Sequence, residues 1–440
     1  MATERRLGAV HAAALVVASM VGTGVFTVTG SLLASLPSAA LVLAAWAIAG
    51  VLALCGAAVY AELGTMMPRV GGEYVYVSRA FGPAAGFLSG WVALIVGFAA
   101  PTAVGALGFA SYVHAVVPAL PQTAVAVALI VIATAVHMID VRFGARVQAG
   151  LAGLVVVLII VFIAAALATG RLAAVHLGAA VPVARPASGG GVVALAAAFA
   201  IGLVQVSYAY SGWNGAAYIA GEVRDPARAL PRALVMSTGL VTLLYLSLNV
   251  VFLAAVPPAA LAGQINVAHI AAGALFGAGG ADFVSSLVAL TAAGFVSAML
   301  MSGPRVAVAM GEDGVFFRAL GRSNARGAPT LAVGLQGALA MVAVLTAAFD
   351  RLLVYVGFTL TLNAAAAVLA AFVLRRREPE GDRPHRALGW PASGLLFLAL
   401  SAFMIVLAVR ERPRESLAGL ATLVAGGLAY AAWHRRRGRT

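Results

Sequence analysis

The sequence predicts an all-α polytopic membrane protein of twelve helices, arranged as an inverted five-plus-five repeat with two helices appended. Three observations lead there. The 440 residues are 62% hydrophobic and 10% charged, where a soluble globule carries about 25% charged residues. Apolar runs of about 20 residues, the length of a bilayer span, recur from end to end. The 28 basic residues, all arginine, give a net charge of +13 and gather mostly between those runs. That placement reads as topology control and gives no footing to a nucleic-acid partner.

Arginines bound many of the elements in order. Arg5 and Arg6 precede helix 1 (9–34), and Arg69 and Arg79 separate helix 2 (39–66) from helix 3 (84–112). Arg142 and Arg146 stand between helix 4 (122–139) and helix 5 (146–169). The connection 170–192 holds Arg171 and Arg185, and helix 6 (193–221) follows. Arg224, Arg228 and Arg232 lead into helix 7 (233–255), and helix 8 (283–310) encloses Arg305. The connection 256–282 before helix 8 is expected to hold a short helix against the outer mouth.

Arg318, Arg322 and Arg326 come before helix 9 (329–348), and Arg351 opens helix 10 (351–374). Arg375, Arg376, Arg377, Arg383 and Arg386 lead to helix 11 (390–409); Arg410, Arg412 and Arg414 lead to helix 12 (415–433). With the tail arginines 435–437 and 439, one side collects twenty-one and the other six. The excess marks the cytoplasmic side, which places both termini in the cytoplasm of a plasma-membrane protein. No long polar linker divides the chain, so one domain, 1–440, is expected. The first apolar run lacks a small-residue cleavage site and reads as a retained span. Cys55, the single cysteine, implies neither disulfide nor metal.

Two spans are interrupted near their centres. Helix 1 carries Gly22-Thr23-Gly24, although each glycine costs a helix interior about 1 kcal/mol relative to alanine. Helix 6 carries Tyr208 to Asn214, YAYSGWN. Taken singly, such a site reads equally well as a close-packing notch. Helices 1 and 6 are five spans apart, however, and so cross the membrane in opposite directions. That relation fits a repeat of about 9–169 on about 193–374, with helices 11 and 12 (390–433) added. Interrupted helices at matching positions of two inverted halves point to a binding site. A break frees N–H groups on one half-helix and C=O groups on the other. The first suit a carboxylate and the second an ammonium, so two crossed breaks form a receptor for a zwitterion, most simply an α-amino acid.

Five stretches carry a family resemblance, in the family's order. They are Val21 to Phe26 (VGTGVF), Ala61 to Pro83 (AELGTMMPRVGGEYVYVSRAFGP) and Tyr208 to Leu234 (YAYSGWNGAAYIAGEVRDPARALPRAL). Ser302 to Gly321 (SGPRVAVAMGEDGVFFRALG) and Arg375 to Arg386 (RRREPEGDRPHR) complete them. The chain resembles the amino acid–polyamine–organocation transporters, particularly the L-type amino-acid transporter branch and its bacterial relatives. The resemblance implies the LeuT-like fold. It assigns the amides of Thr23 and Gly24, with the Thr23 hydroxyl, to a substrate carboxylate, and makes Gly22 permissive of the break. It gives the carbonyls of Met20, Tyr208 and Ser211 to the ammonium, Tyr208 to an aromatic gate, and Asn214 to the polar lining of the break. Ala99, Ala100, Ser297, Thr361 and Asn363, on helices 3, 8 and 10, are its candidates for side-chain selectivity.

One departure concerns coupling. Many L-type relatives place a lysine on helix 5, at about Val155 here, and this chain has no lysine at all. H⁺ coupling, Na⁺ coupling, exchange and facilitated diffusion therefore all stay open. Ser297 or Ser302 with a helix 1 carbonyl is a candidate Na⁺ site; interhelix hydrogen bonding is the commoner role for such serines.

Glu62 and Arg305, near cytoplasmic helix ends, are candidates for an inner gate with Glu73, Arg79 or Glu222; snorkelling to the interface is the alternative. His11 is a candidate proton site, ahead of His137 and His269. Met299, Met301 and Met310 read as packing rather than a metal path. Gly277, Gly279 and Gly280 follow no strand and precede no lysine, so they are not a phosphate loop. No paired carboxylates, metal cluster or nucleophile elbow is legible, and neither an enzyme nor a cofactor is expected. With no charged side chain expected in the pocket, a neutral amino acid is favoured. A cationic amino-acid or amine exchanger, using Tyr208, Tyr210 and Trp213 as a cation–π cage, and a transport-deficient sensor are the rivals.

Overall fold

In lipid every backbone polar group must find a partner within the protein, which leaves helices as the economical form for runs this apolar. The computed structural model describes residues 7–139, 141–181, 191–346 and 349–437, and it is helical throughout, with only two isolated β-bridges among them. Eleven helices among the described residues are long and apolar enough to cross a membrane. The predicted ninth span is the shorter apolar helix Thr330–Thr346, of 17 residues.

Helix 1 is two half-helices, Ala9–Met20 and Gly24–Leu33, separated by an extended Val21 (φ −78, ψ 90). Helix 6 runs regularly only over Val192–Ala209 and resumes as the single turn Gly215–Tyr218. Between them Gly212 takes φ +101, a conformation L side chains rarely hold. The regular part of helix 6 therefore stops at the predicted interruption, well short of residue 221. Helix 3 covers Pro83–Val116 and winds as a π-helix over Ala93–Ala99.

A separate helix, Glu73–Phe81, precedes helix 3. Gly71, Gly72 and Gly82, all at positive φ, turn the chain sharply at both of its ends. In the connection after helix 7, a turn at Pro258–Leu261 is followed by a helix from Val267 that bends into helix 8 at Gly277 (φ 77, ψ −175). That segment holds the short helix expected there.

Helix 8 packs along helix 3, the first half of helix 1 packs on helix 5 and residues 232–236, and helix 6 packs on helices 2, 10 and 11. Helices 1, 3 and 8 are thus central. Helices 5 and 12 turn Val157, Ile160, Leu417 and Val424 outward, the apolar surface a bilayer requires. Behind the breaks, the rings of Trp46, Tyr210 and Tyr245 meet with centroids 5.1 to 5.9 Å apart. Beyond the break, the Gly263 N–H donates to the Gly30 carbonyl at 2.8 Å, fastening the loop after helix 7 onto the second half of helix 1. A Cβ on Gly30 would run into the Gln264 carbonyl.

Gly212→Ala would strain φ and drive its Cβ into the Ser19 carbonyl. It is expected to destabilise the protein by about 1–3 kcal/mol, read as a lower thermal-unfolding midpoint in detergent. Gly427→Ala, on helix 12 with open space around it, is the control and should be neutral or slightly stabilising.

Candidate substrate site at the crossed helix breaks

The two breaks meet at contact distance. A Cβ on Gly24 would sit 2.8 Å from Ala209, and one on Gly212 would strike the Ser19 carbonyl, so each glycine admits the other helix. At the start of the second half of helix 1 the first-turn N–H groups precede the regular i−4 ladder, and the Phe26 N–H donates to the Thr23 carbonyl at 3.0 Å. At the C-terminal ends, the Met20 carbonyl accepts from the Gly22 N–H at 2.9 Å, and the Tyr208 carbonyl accepts from the Ser211 N–H at 2.9 Å.

A hydroxyl from helix 7 joins both ends. Tyr245 Oη donates to the Met20 carbonyl at 2.6 Å and lies 3.2 Å from the Ala209 carbonyl. One turn on, Asn249 Nδ2 donates to the Tyr245 carbonyl at 2.8 Å, and Asn249 Oδ1 accepts from Thr29 Oγ1. Trp46 Nε1 donates to Thr29 Oγ1 at 3.0 Å. This chain of bonds was not read from the sequence. Its signal was a tyrosine and an asparagine one helical turn apart inside the apolar run of helix 7.

Thr23 Oγ1 and Ser19 Oγ are buried and have no hydrogen-bond partner. A buried hydroxyl left unpaired costs about 1–3 kcal/mol. A cavity of about 70 Å³ opens beside Ser19, and Tyr210, Ser211, Trp213, Asn214 and Thr361 of the predicted residues line it with Ser19. Thr23 lies outside that lining, its side chain facing Gly108 of helix 3.

Other predicted residues sit elsewhere. Met20, Gly22, Thr23 and Gly24 form the break itself. Tyr208 packs with Ala100, Val104, Leu353 and Val356 in an apolar cluster joining helices 3 and 10. Ala99 is buried at the end of the π-helical turn. Ser297 faces helix 4, its Oγ 2.8 Å from His137 Nε2. That position turns it from the pocket and from the candidate Na⁺ site with helix 1. Ser302 Oγ is buried without a partner. Val155 lines a void of only about 10 Å³ with Phe26, Phe162 and Phe252, so hydrocarbon surrounds the position where a lysine was sought. His11 is exposed at the start of helix 1, and His269 pairs with Ser285 Oγ at 2.9 Å.

The expectation of an uncharged pocket is overturned. Glu73, from the short helix before helix 3, lines the cavity and is 2% exposed. Its carboxylate accepts from four neutral donors. Tyr60 Oη (2.7 Å) and Asn214 Nδ2 (2.8 Å) reach Oε1; Tyr218 Oη (3.0 Å) and Asn363 Nδ2 reach Oε2. Sequence separations of up to 290 residues hide this cluster from any local motif.

The ion pairs at the helix ends also differ from expectation. Arg305 pairs with Glu222 at 2.7 Å, one of the partners considered. Glu62, 1% exposed, pairs instead with Arg375 and with Arg383 at 3.4 Å, and accepts the Ala387 N–H. Arg375 also lies over the Trp390 ring at 4.2 Å. Arg79 pairs with Glu378 at 3.0 Å and Arg69 with Asp313 at 2.8 Å. Each pair ties together distant parts of the chain.

Crossed discontinuous helices around a small polar cavity define a membrane permease. The amino acid permease family model matches residues 7–422, and the chain belongs to that family. Over 458 aligned residues it is 30% identical to the large neutral amino acids transporter small subunit 2 of Rattus norvegicus, covering 98% of this chain and 81% of that protein. The human counterpart is likewise 30% identical, with 80% of its length covered. The b(0,+)-type amino acid transporter 1 of Mus musculus is 28% identical, over 97% of this chain and 87% of that one.

Burial pushes the Glu222 carboxyl up, but Arg305 beside it outweighs burial and leaves it below the usual 4.5. A lowered carboxyl contributes stability that is present above about pH 4.5 and lost as pH falls through the lowered value. Glu222→Gln should therefore flatten the acid limb of thermal stability. At neutral pH it should cost about 3–5 kcal/mol, because it leaves Arg305 buried without its counter-charge. A double-mutant cycle with Arg305→Met measures the coupling.

Proposed function

We propose that this permease is a secondary transporter that moves α-amino acids, neutral ones in particular, across the plasma membrane by alternating access. The observation that carries the reading is the crossing of the two breaks beside the unpartnered Thr23 and Ser19 hydroxyls. In this reading the amides of Thr23 and Gly24 and the Thr23 hydroxyl take the substrate carboxylate. The carbonyls of Met20, Tyr208 and Ser211 take the ammonium, with Asn214 beside them and Tyr208 as the gate. Residues 9–169 and 193–374 act as inverted halves, helices 11 and 12 (390–433) flank them, and both termini are cytoplasmic. The relatives, a large neutral amino acids transporter small subunit and a b(0,+)-type amino acid transporter, support the substrate class.

The Glu73 carboxylate favours a second reading, a cationic amino acid or amine, since it faces the cavity with Trp213 and Tyr210. Its four hydrogen bonds already occupy both oxygens, and this argues for the neutral substrate.

Thr23→Val keeps the side chain's shape and removes the unpaired hydroxyl. Uptake of neutral amino acids into proteoliposomes should fall about tenfold or more, with the thermal midpoint kept or raised. Wild-type uptake by the variant would remove helix 1 from the substrate site. Competition by leucine, alanine, arginine and putrescine against the best substrate separates the two readings: displacement by arginine or putrescine alone would favour the second.

A further inference from the structure

Glu73 is the buried charge for which neither crossed-break recognition nor the ion pairs supply a use. It lies outside the candidate spans, on the helix Glu73–Phe81, yet its carboxylate reaches the cavity. Among the described residues no ion pair reaches it. The groups around it are neutral in every direction: Tyr60 from helix 2, Asn214 and Tyr218 from the far side of the helix 6 break, Asn363 from helix 10, and Tyr76 on its own helix. The nearby charges are spent on one another. Glu62 holds Arg375 and Arg383, and Arg79 holds Glu378.

Four donors on two oxygens stabilise an ionised carboxylate, because a protonated one gives up an acceptor position. Two of the four donors, Asn214 and Tyr218, belong to the segment that follows the helix 6 break. If that segment moves away from helix 2 and helix 10, the carboxylate keeps only Tyr60 and Asn363, and the loss of two donors favours its protonated form. Binding a proton then replaces the lost stabilisation. Proton binding and movement of the inner segment of helix 6 thus become linked, and linkage is reciprocal.

We propose that Glu73 is the proton-binding site through which this permease couples amino-acid movement to proton movement. This rests on the transport reading above. One proton enters from water on one side, is held on a Glu73 carboxyl oxygen while the inner segment of helix 6 stands away, and leaves to the other side when the four donors close again. No other reactant is needed. The ordinary chemistry of the site agrees: burial pushes the Glu73 carboxyl up, its hydrogen bonds pull it down, and burial prevails.

The test is uptake into proteoliposomes with an imposed pH gradient. With one proton per substrate, wild-type protein should accumulate amino acid about tenfold per unit of inward-acid gradient, and dissipating the gradient should release it. Glu73→Gln cannot titrate, and whatever uptake it retains should be indifferent to pH from about 5 to about 8. Tyr218→Phe removes one donor and keeps the carboxyl; its pH midpoint should move upward. This second variant decides the matter if Glu73→Gln does not fold. Wild-type uptake that ignores the gradient overturns the proposal, as does pH-driven accumulation that survives in Glu73→Gln or an unmoved midpoint in Tyr218→Phe. Wild-type protein that moves no amino acid under any gradient or by exchange would overturn the transport reading itself, and the proposal with it.

Discussion

The structure depends on one constraint, the backbone groups freed where helices 1 and 6 stop. In a medium without water those groups need partners, and here the two breaks are pressed together until each glycine meets the other chain segment. The Tyr245 hydroxyl then bonds the Met20 carbonyl while standing beside that of Ala209. Much of the surrounding packing serves to hold this crossing. Trp46 and Tyr210 stack around Tyr245, Asn249 and Thr29 extend its network, and helices 3 and 8 close over Thr23 and Gly22.

The two kinds of polar cluster in the molecule have different physical characters. At the breaks, the Ser19 and Thr23 hydroxyls are held buried without partners. Away from the breaks, carboxylates are matched to guanidinium groups across long sequence distances, joining helix 2 to the helix 10–11 segment and helix 8 to the segment after helix 6. A buried pair of this kind contributes little net stability but is costly to break, so it favours one arrangement of elements over others. Glu73 belongs to neither group: it is fully hydrogen-bonded, yet by neutral partners.

The fold was legible in the sequence to the extent that local pattern determines it. Apolar length set most of the spans. VGTGVF and YAYSGWN marked the breaks because glycines and polar side chains clustered at mid-membrane destabilise a continuous helix and suit an interrupted one. The short helix Glu73–Phe81 was missed because nine amphipathic residues between glycines look like a loop. Tyr245 was missed because a tyrosine in an apolar run reads as packing until its hydroxyl has a named acceptor. The partners of Glu62 lie 313 and more residues away, and those of Glu73 come from three helices. Ser297 lay on the right helix, but its orientation toward His137 is a property of packing that spacing does not carry.

The bond between Gly263 and Gly30 has a mechanical consequence. The loop after helix 7 rests on the second half of helix 1 with no room even for a methyl group between them. That half-helix begins at Gly24, beside the polar break. A tilt of a few degrees at Gly24 is therefore carried along a rigid arm to the loop. The loop is in effect a pointer, and a probe placed there would register movement at a break it never touches.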